Sequence, residues 1–374
     1  MIISRYLRKE TSYALLGVTF VLLLIFLSNQ LVRYLKYAAK GKIAANILLQ
    51  LMGFEIPFLL GLILPLGVYL GIIFTYGRMY ADNELRVLQA SGLSTKSLIV
   101  ITGTLGVFIS IFVTILMLWV NPHLASQKNK LILKSMTTEN ILDTLIPGRF
   151  QVTPDDKHVL YVESISRKSR VANNIFIAEQ KKHLDEAATW SVISAAKGYQ
   201  TRNHDTKERY VVALDGYRYE GVPGENAYKI IQFKKYTAPI IESTLELTHQ
   251  PEEVLPTSTL WQDYSKNPSK AAELQWRISM PIATILLAFL AIPLSYVGPR
   301  QNRYVNLFPA LLIYLVYMNL LFLSRGWVAH QTLSSSIGLW WVHGLFIFFI
   351  LGIFLLQFVQ LHGIHFFRSV RKLA

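Results

Sequence analysis

Charged residues are kept out of six long apolar runs in this 374-residue chain. The runs are Tyr13–Leu27, Ile56–Gly77, Leu98–Pro122, Ile278–Pro299, Val305–Ser324 and Gln331–Gln360. Each is near or above the roughly 20 residues that a helix rising about 1.5 Å per residue needs to cross about 30 Å of hydrocarbon. A buried helix of a water-soluble protein seldom runs this far without a charge. The spacing therefore predicts six membrane spans in two groups of three. Composition agrees: only 16% of residues are charged, against about 25% in soluble domains. The apolar bulk and the 12% aromatic content exclude disorder. The lack of cysteine excludes a disulfide-stapled domain, thiol nucleophiles, cysteine zinc sites and iron–sulfur clusters. The first run follows Arg5, Arg8 and Lys9 as a signal peptide would, but its apolar core is too long and no convincing cleavage site follows.

Orientation follows from Lys and Arg near the span ends. Arg5, Arg8 and Lys9 precede span one, and Arg78, Arg86 and Lys96 follow span two. Arg300 and Arg303 follow span four, and Arg368, Arg371 and Lys372 follow span six. These regions share one side, the cytoplasm, which leaves His123–Gln275 outside. One loop departs from the rule: Arg33, Lys36, Lys40 and Lys42 lie on the outer side, with no acidic residue until Glu55. Two readings stand. Either a short basic loop is tolerated because the other loops set the topology, or a cationic rim meets an anionic ligand at the outer surface. Arg33 and Lys36 are three apart and share a helix face.

From about Thr137 to Glu246 the pattern becomes short β-branched and aromatic runs, including His158–Glu163, Asn174–Ala178, Trp190–Ser194, Tyr210–Leu214, Tyr217–Tyr219 and Tyr228–Phe233. Turn chemistry separates some of them: Pro154-Asp155-Asp156, Asp215-Gly216 and Pro223-Gly224. This predicts a sandwich or jelly-roll-like domain. In His158–Glu163, alternation puts Val159 and Tyr161 on one face and Leu160 and Val162 on the other. Both faces are apolar, so the sheet is covered twice or one face contacts an apolar ligand. Thr257–Glu273 is a polar connector with short helical pieces.

No P-loop, H-E-x-x-H or G-x-S-x-G motif is present. His362 and His365 lack a third metal ligand nearby, and His343 in the last span is expected to pack or hydrogen-bond. Glu55, Pro57 and Pro65 sit in or just before span two, and Gly67-x-x-x-Gly71 gives that span a small-residue face. After span two, Arg78 to Ser94 predicts a short amphipathic helix. Leu85 and Leu88 share a face, Asp82 or Asn83 caps the start, and Gly92 ends it. Such a helix either lies on lipid, helped by Arg86, or inserts into a groove of a cytoplasmic protein. With Glu84 central to it, docking is favoured over anionic lipid.

Several stretches carry a resemblance. They are Ile2–Glu10, Leu64-Pro65-Leu66, Asp82–Ser94, Leu274-Gln275-Trp276-Arg277-Ile278 and Ile292–Gln301. Together they resemble the LptF/LptG permeases of the lipopolysaccharide exporter, closest to the F branch, over nearly the whole chain. The resemblance implies an α+β protein of the bacterial inner membrane. It has six transmembrane helices (3+3), cytoplasmic termini and a periplasmic β-jelly-roll-like domain between helices 3 and 4. The implied boundaries are 1–122, 123–256 and 257–374, with a coupling helix near 78–92. The implied partners are lipopolysaccharide, an LptG-like permease subunit, an LptB-like ATPase dimer that binds the ATP, and LptC-like and LptA-like periplasmic β-jelly-roll proteins. No cofactor in this chain and no nucleic-acid partner are expected. Arg78, Tyr80, Glu84, Leu85, Arg86 and Leu88 would couple to the ATPase, with Glu84 in its groove. Arg33 would face the lipid A phosphates, with Lys36, Lys40 and Lys42 beside it. Gln30 stands where family members often carry a basic residue, and Lys36 is placed to compensate. Spans one and five would form lateral gates with the partner. Two other classes stand beside this one: a membrane-anchored scaffold whose β-domain binds a periplasmic protein, and an intramembrane enzyme using Glu55 or a histidine.

Overall fold

The computed structural model describes all residues except 1, 40–42, 44, 137–146, 153–157, 167–170, 182–188, 203–208, 226, 240–250, 299–300, 303 and 371–374, and gives backbone alone for 45, 133–136, 152, 158, 181, 202, 209, 239 and 357–370. Lys40, Lys42, the Pro154 turn and the side chains of His362 and His365 thus lie outside the described residues. The chain divides into two compact units. One comprises Met1–Asn29, Met52–Gln127 and Pro251–Ala374; the other comprises Gln30–Leu51 and Lys128–Gln250.

The first unit is helical. Helix α1 covers Ile2–Ala39, α2 Leu48–Ala81, α3 Glu84–Ala90 and α4 Thr95–Ile115. A π turn at Leu116–Val120 joins α4 to α5, Asn121–Met136. After the sheet come a 3-10 turn at Glu252–Val254, α6 (Thr257–Gln262), α7 (Pro268–Leu294), α8 (Leu307–Ala329) and α9 (Trp340–Val370). By length and composition α1, α2, the α4–α5 rod, α7 and α8 can each cross a bilayer, and α9 is apolar over Trp340–Leu356.

The helices overrun several of the apolar runs, and two starts have a clear local cause. Helix α7 starts at Pro268, ahead of the run at Ile278: Asn267 accepts from the Ser269 and Lys270 N–H groups, and Pro268 takes the first helical position, where its missing N–H costs nothing. Helix α9 starts at Trp340, well after the run begins at Gln331. Ser334 to Ser336 offer hydroxyls that compete for backbone groups, and Gln331 and Gly338 are left-handed.

Lipid offers no hydrophobic force between helices, so close approach and hydrogen bonds must join them. The Gly67–Gly71 face does this for α1 and α2. A Cβ on Gly71 would lie 2.9 Å from the Leu15 backbone, and one on Gly67 would strike Thr19. On α4, Gly106 meets Ala288 of α7, and Ser110 donates to the Pro281 carbonyl at 2.9 Å. Tyr69 of α2 donates to the Ala310 carbonyl of α8, and Tyr76 pairs with Thr102 of α4. His343 meets the expectation of hydrogen bonding. Its Nδ1 lies 2.8 Å from the Tyr317 hydroxyl and its Nε2 3.0 Å from Ser279 Oγ, tying α7, α8 and α9.

The second unit carries an antiparallel sheet whose strands pair in chain order. They are β1 Gln151–Val152, β2 His158–Ser166, β3 Val171–Lys181, β4 Thr189–Arg202, β5 Arg209–Gly221 and β6 Tyr228–Pro239. Among the described residues this is one up-and-down meander, with no second sheet and no crossover; the antiparallel part of the sandwich or jelly-roll expectation holds. Pro223-Gly224 does form a turn, with Gly224 at φ 94°. Asp215-Gly216 does not: it lies inside β5, and the two strands read on either side of it are one. Asp215 takes a left-handed backbone at φ 52°, and Gly216 passes where a Cβ would come within 2.3 Å of the Ser194 carbonyl. Asn174 does the same in β3 at φ 48°.

These residues define a crease across the sheet. Pairing runs Val162↔Ile175 then Ser164↔Asn173, Ile175↔Ala195 then Asn173↔Lys197, and Ala195↔Gly216 then Lys197↔Leu214. The row Glu163, Asn174, Ala196, Asp215 is passed over each time. Side-chain alternation slips there: β4 buries Ser191, Ile193 and Ala195, then Gly198. One face holds Val162, Ala172 and Ile175 with Ile165 and Ile177 against them. The other carries Tyr161 and Phe176, capped by Phe150 at ring distances of 4.8 and 5.9 Å, around a hollow of about 490 Å³ that Tyr217 also lines.

Candidate functional site

The elbow between α2 and α4 assembles most of the residues singled out for coupling. Arg78, in the last turn of α2, donates to Glu10 of α1 at 2.6 Å. Both are partly exposed, so the pair contributes about 0–1 kcal/mol. Tyr80 is buried and meets Tyr296 edge-on at 5.2 Å. Asn83 sits left-handed at φ 61°, a conformation asparagine tolerates better than most residues. Its side chain does not cap α3, contrary to expectation. It accepts from Arg86 Nη1 at 2.6 Å, while Arg86 Nη2 donates to the Val297 carbonyl at 2.6 Å. Leu85 is fully buried and anchors α3 within this chain. Gly92, at φ 104°, ends the turn, and Ser94 caps α4 by accepting from the Ser97 N–H.

The elbow is therefore fixed from behind by Tyr80, Leu85 and Arg86. Glu84 is left exposed, touched by the Tyr6 hydroxyl at 3.4 Å. Leu88 is half-buried, and the apolar side chain most available to a partner is Val87, 62% exposed. Sequence reasoning missed Val87 because the Leu85–Leu88 stripe marks the face that the chain itself covers.

The basic residues near the end of α1 lie in the other unit. Arg33 and Lys36 are exposed. Gln30, buried one turn earlier, accepts a hydrogen bond from the Arg33 guanidinium, so this departure from a basic residue turns repulsion into a tether. Lys128 of α5 stands 5.8 Å from the Tyr34 ring and adds a cation to this face of α1. Its signal in the sequence is faint, since it lies almost a hundred residues away.

A third cluster centres on Leu274–Ile278, a stretch that carries a family resemblance but no role in the sequence alone. Arg277, 2% exposed, places all five N–H groups on oxygens. Nε meets Glu273 at 2.8 Å; Nη1 meets the Leu255 carbonyl and Thr257 Oγ1; Nη2 meets the Glu252 and Glu253 carbonyls. Glu273 also accepts from Arg325, which lies over the Trp276 ring at 5.1 Å. Gln275 donates to Tyr264 and to the Ser335 carbonyl and accepts from the Leu339 N–H. Nearby, Lys270 bonded to Asp263 at 2.6 Å holds that carboxyl below the usual carboxylate range. The stretch Leu274–Ile278 thus locks the connector and the α8–α9 loop onto α7. Among the described residues no group of three or more acidic or histidine side chains is placed to hold a metal.

An apolar helical bundle with close glycine seams, an inserted antiparallel sheet and an elbow that presents a short helix are together consistent with a membrane permease. A family model described as lipopolysaccharide export system permease LptF/LptG matches residues 5–357. Over 318 residues, 85% of this chain and 84% of the relative, the sequence is 33% identical to the lipopolysaccharide export system permease protein LptF of Escherichia coli K12. The protein of that name from Shigella flexneri matches to the same extent. The chain belongs to the LptF/LptG family of lipopolysaccharide export permeases, which are non-catalytic transporter subunits.

Proposed function

We propose that this chain is one permease half of an ABC exporter that lifts lipopolysaccharide from the inner membrane and passes it to a periplasmic bridge. An LptG-like subunit completes the chamber, an LptB-like ATPase dimer drives it, and LptC-like and LptA-like β-jelly-roll proteins receive the lipid. The spans form a 3+3 set with cytoplasmic termini, and the jelly-roll-like sheet lies in the periplasm.

The observation that carries this reading is the presentation of α3. Tyr80, Leu85 and Arg86 are satisfied inside the chain, while Glu84 and Val87 are left outward on a rigid support. A peg with one carboxylate and one apolar contact suits a groove on a soluble motor, and the chain has no P-loop of its own. Two further features support it. Arg33, Lys36, Lys40 and Lys42 supply positive charge for lipid A phosphates. The sheet is apolar on both faces and hollowed by aromatic rings, which suits the passage of acyl chains through water.

The test is co-purification of the assembled complex in detergent. Glu84→Ala is expected to keep the membrane subunits folded while ATPase association or turnover falls at least fivefold. Full association and lipid transfer in both Glu84→Ala and Val87→Asp would remove the coupling role from α3.

A further inference from the structure

The π turn at Leu116–Val120 is the one such turn among the described residues. A π turn holds one residue more than the α ladder accommodates and tilts carbonyls out of line. One of them, that of Leu118, accepts a hydrogen bond from Thr257 Oγ1 at 2.5 Å. The same Thr257 oxygen accepts from Arg277 Nη1 at 3.1 Å. A single hydroxyl thus joins the third membrane rod to the five-bonded arginine of α7, through the first helix after the sheet.

The other side of the π turn is unsettled. Asn121 is about nine-tenths buried, and its Oδ1 has no hydrogen-bond partner among the described residues. Its Nδ2 reaches only the Met117 sulfur, at 3.4 Å. Both groups press on Gly61 of α2, where a Cβ would lie 2.7 Å from the sulfur and 3.2 Å from Nδ2. Four residues on, Pro65 has no N–H to offer the Gly61 carbonyl. One unsatisfied amide oxygen, a carbonyl without its ladder donor and a helix irregularity therefore meet at one level of α2 and the α4–α5 rod. A bulge that migrates along a helix turns each residue it passes by about 100°, which would carry Met117 and Asn121 off Gly61.

We propose that Thr257 is a positioning residue, a latch that holds the π turn of the third span. Arg277 is the post to which the latch is fastened. With the hydroxyl seated, the rod stays bulged against Gly61; with it withdrawn, Leu116–Val120 re-registers. Residues 251–257 stand between the sheet and α7 in the chain, so a pull along the chain from the sheet side reaches the latch before it reaches α7. The consequence for transport rests on the exporter reading, whereas the latch itself does not.

The experiment uses the full complex in detergent or nanodiscs, with amide hydrogen exchange followed over peptides containing residues 116–121. Thr257→Val removes the hydroxyl at nearly constant volume and is expected to speed exchange there at least tenfold. Thr257→Ser keeps the hydroxyl and is expected to stay within twofold of the wild type. Arg277→Lys, with three donors in place of five, is expected to fall between them. Lipid delivered per ATP hydrolysed should drop at least threefold in Thr257→Val and return in Thr257→Ser. Wild-type exchange in Thr257→Val, or equal acceleration in Thr257→Ser, overturns the latch. If Thr257→Val does not assemble, the serine and Arg277→Lys variants decide by the same exchange measurement. A wild-type complex that delivers no lipid would overturn the exporter reading while leaving the exchange result to judge the latch.

Discussion

Arg277 shows what a buried charge does in this chain. Its five donors are matched by one carboxylate, one hydroxyl and three carbonyls, and Glu273 in turn serves Arg325. Removing one member of a buried, hydrogen-bonded pair costs about 3–5 kcal/mol because the remaining charge is stranded. Arg277→Leu is therefore expected to lower the thermal midpoint of the detergent-solubilised chain sharply and to cut its yield. Arg78→Ala breaks a partly exposed pair and should change stability by less than about 1 kcal/mol. Equal losses in the two variants would contradict this ranking. The exposure of Glu84 was legible from the sequence because its charge stands beside the Leu85–Leu88 stripe and not on it. Arg277 was not, because its meaning lies in backbone carbonyls at 252–255, and no side-chain pattern announces a carbonyl.

Elements were legible where a period was long and failed where a backbone special intervened. The apolar runs give away the helices, since lipid tolerates only a backbone that satisfies itself. Their ends were harder. Pro268 reads as a breaker until Asn267 is seen capping the helix it begins. Asp215-Gly216 reads as a turn, yet a left-handed residue inside a strand yields a crease instead. Left-handed backbone costs a β-branched residue roughly 1–2 kcal/mol. Asn174→Val should thus make the sheet measurably easier to digest with protease, while Asn174→Gly should be neutral. Gly71→Val is expected to force α1 from α2, because the new Cβ would meet Leu15 backbone at 2.9 Å. A fall in melting temperature of several degrees for Gly71→Val, against little change for Gly17→Val where open space surrounds the Cβ, would bear this out.

For the whole molecule, composition settles the solvent and charge suggests the cargo. Of the basic residues behind the net charge of +14, Arg33 and Lys36 are exposed near the end of α1. Exposed ionic contacts weaken as the Debye length falls from about 10 Å at 0.1 M salt to about 3 Å at 1 M. Photocrosslinking of lipopolysaccharide beside Arg33 is expected to drop severalfold in Arg33→Glu and, in the wild type, between low and molar salt. Gln30→Lys should loosen the Arg33 tether and alter the crosslinking pattern without disturbing assembly. Insensitivity to both substitutions and to salt would leave the outer basic residues as a tolerated exception to the charge rule.

The crease also sets how the sheet would answer a walk of single thiols along β4. Since the chain has no cysteine of its own, every thiol would be a clean reporter. Labelling should alternate between shielded and reactive through Ser191, Ile193 and Ala195, miss a beat at Ala196 and Lys197, and resume out of phase at Gly198. Anything tracking one side of that strand meets a different set of neighbours beyond the missed beat.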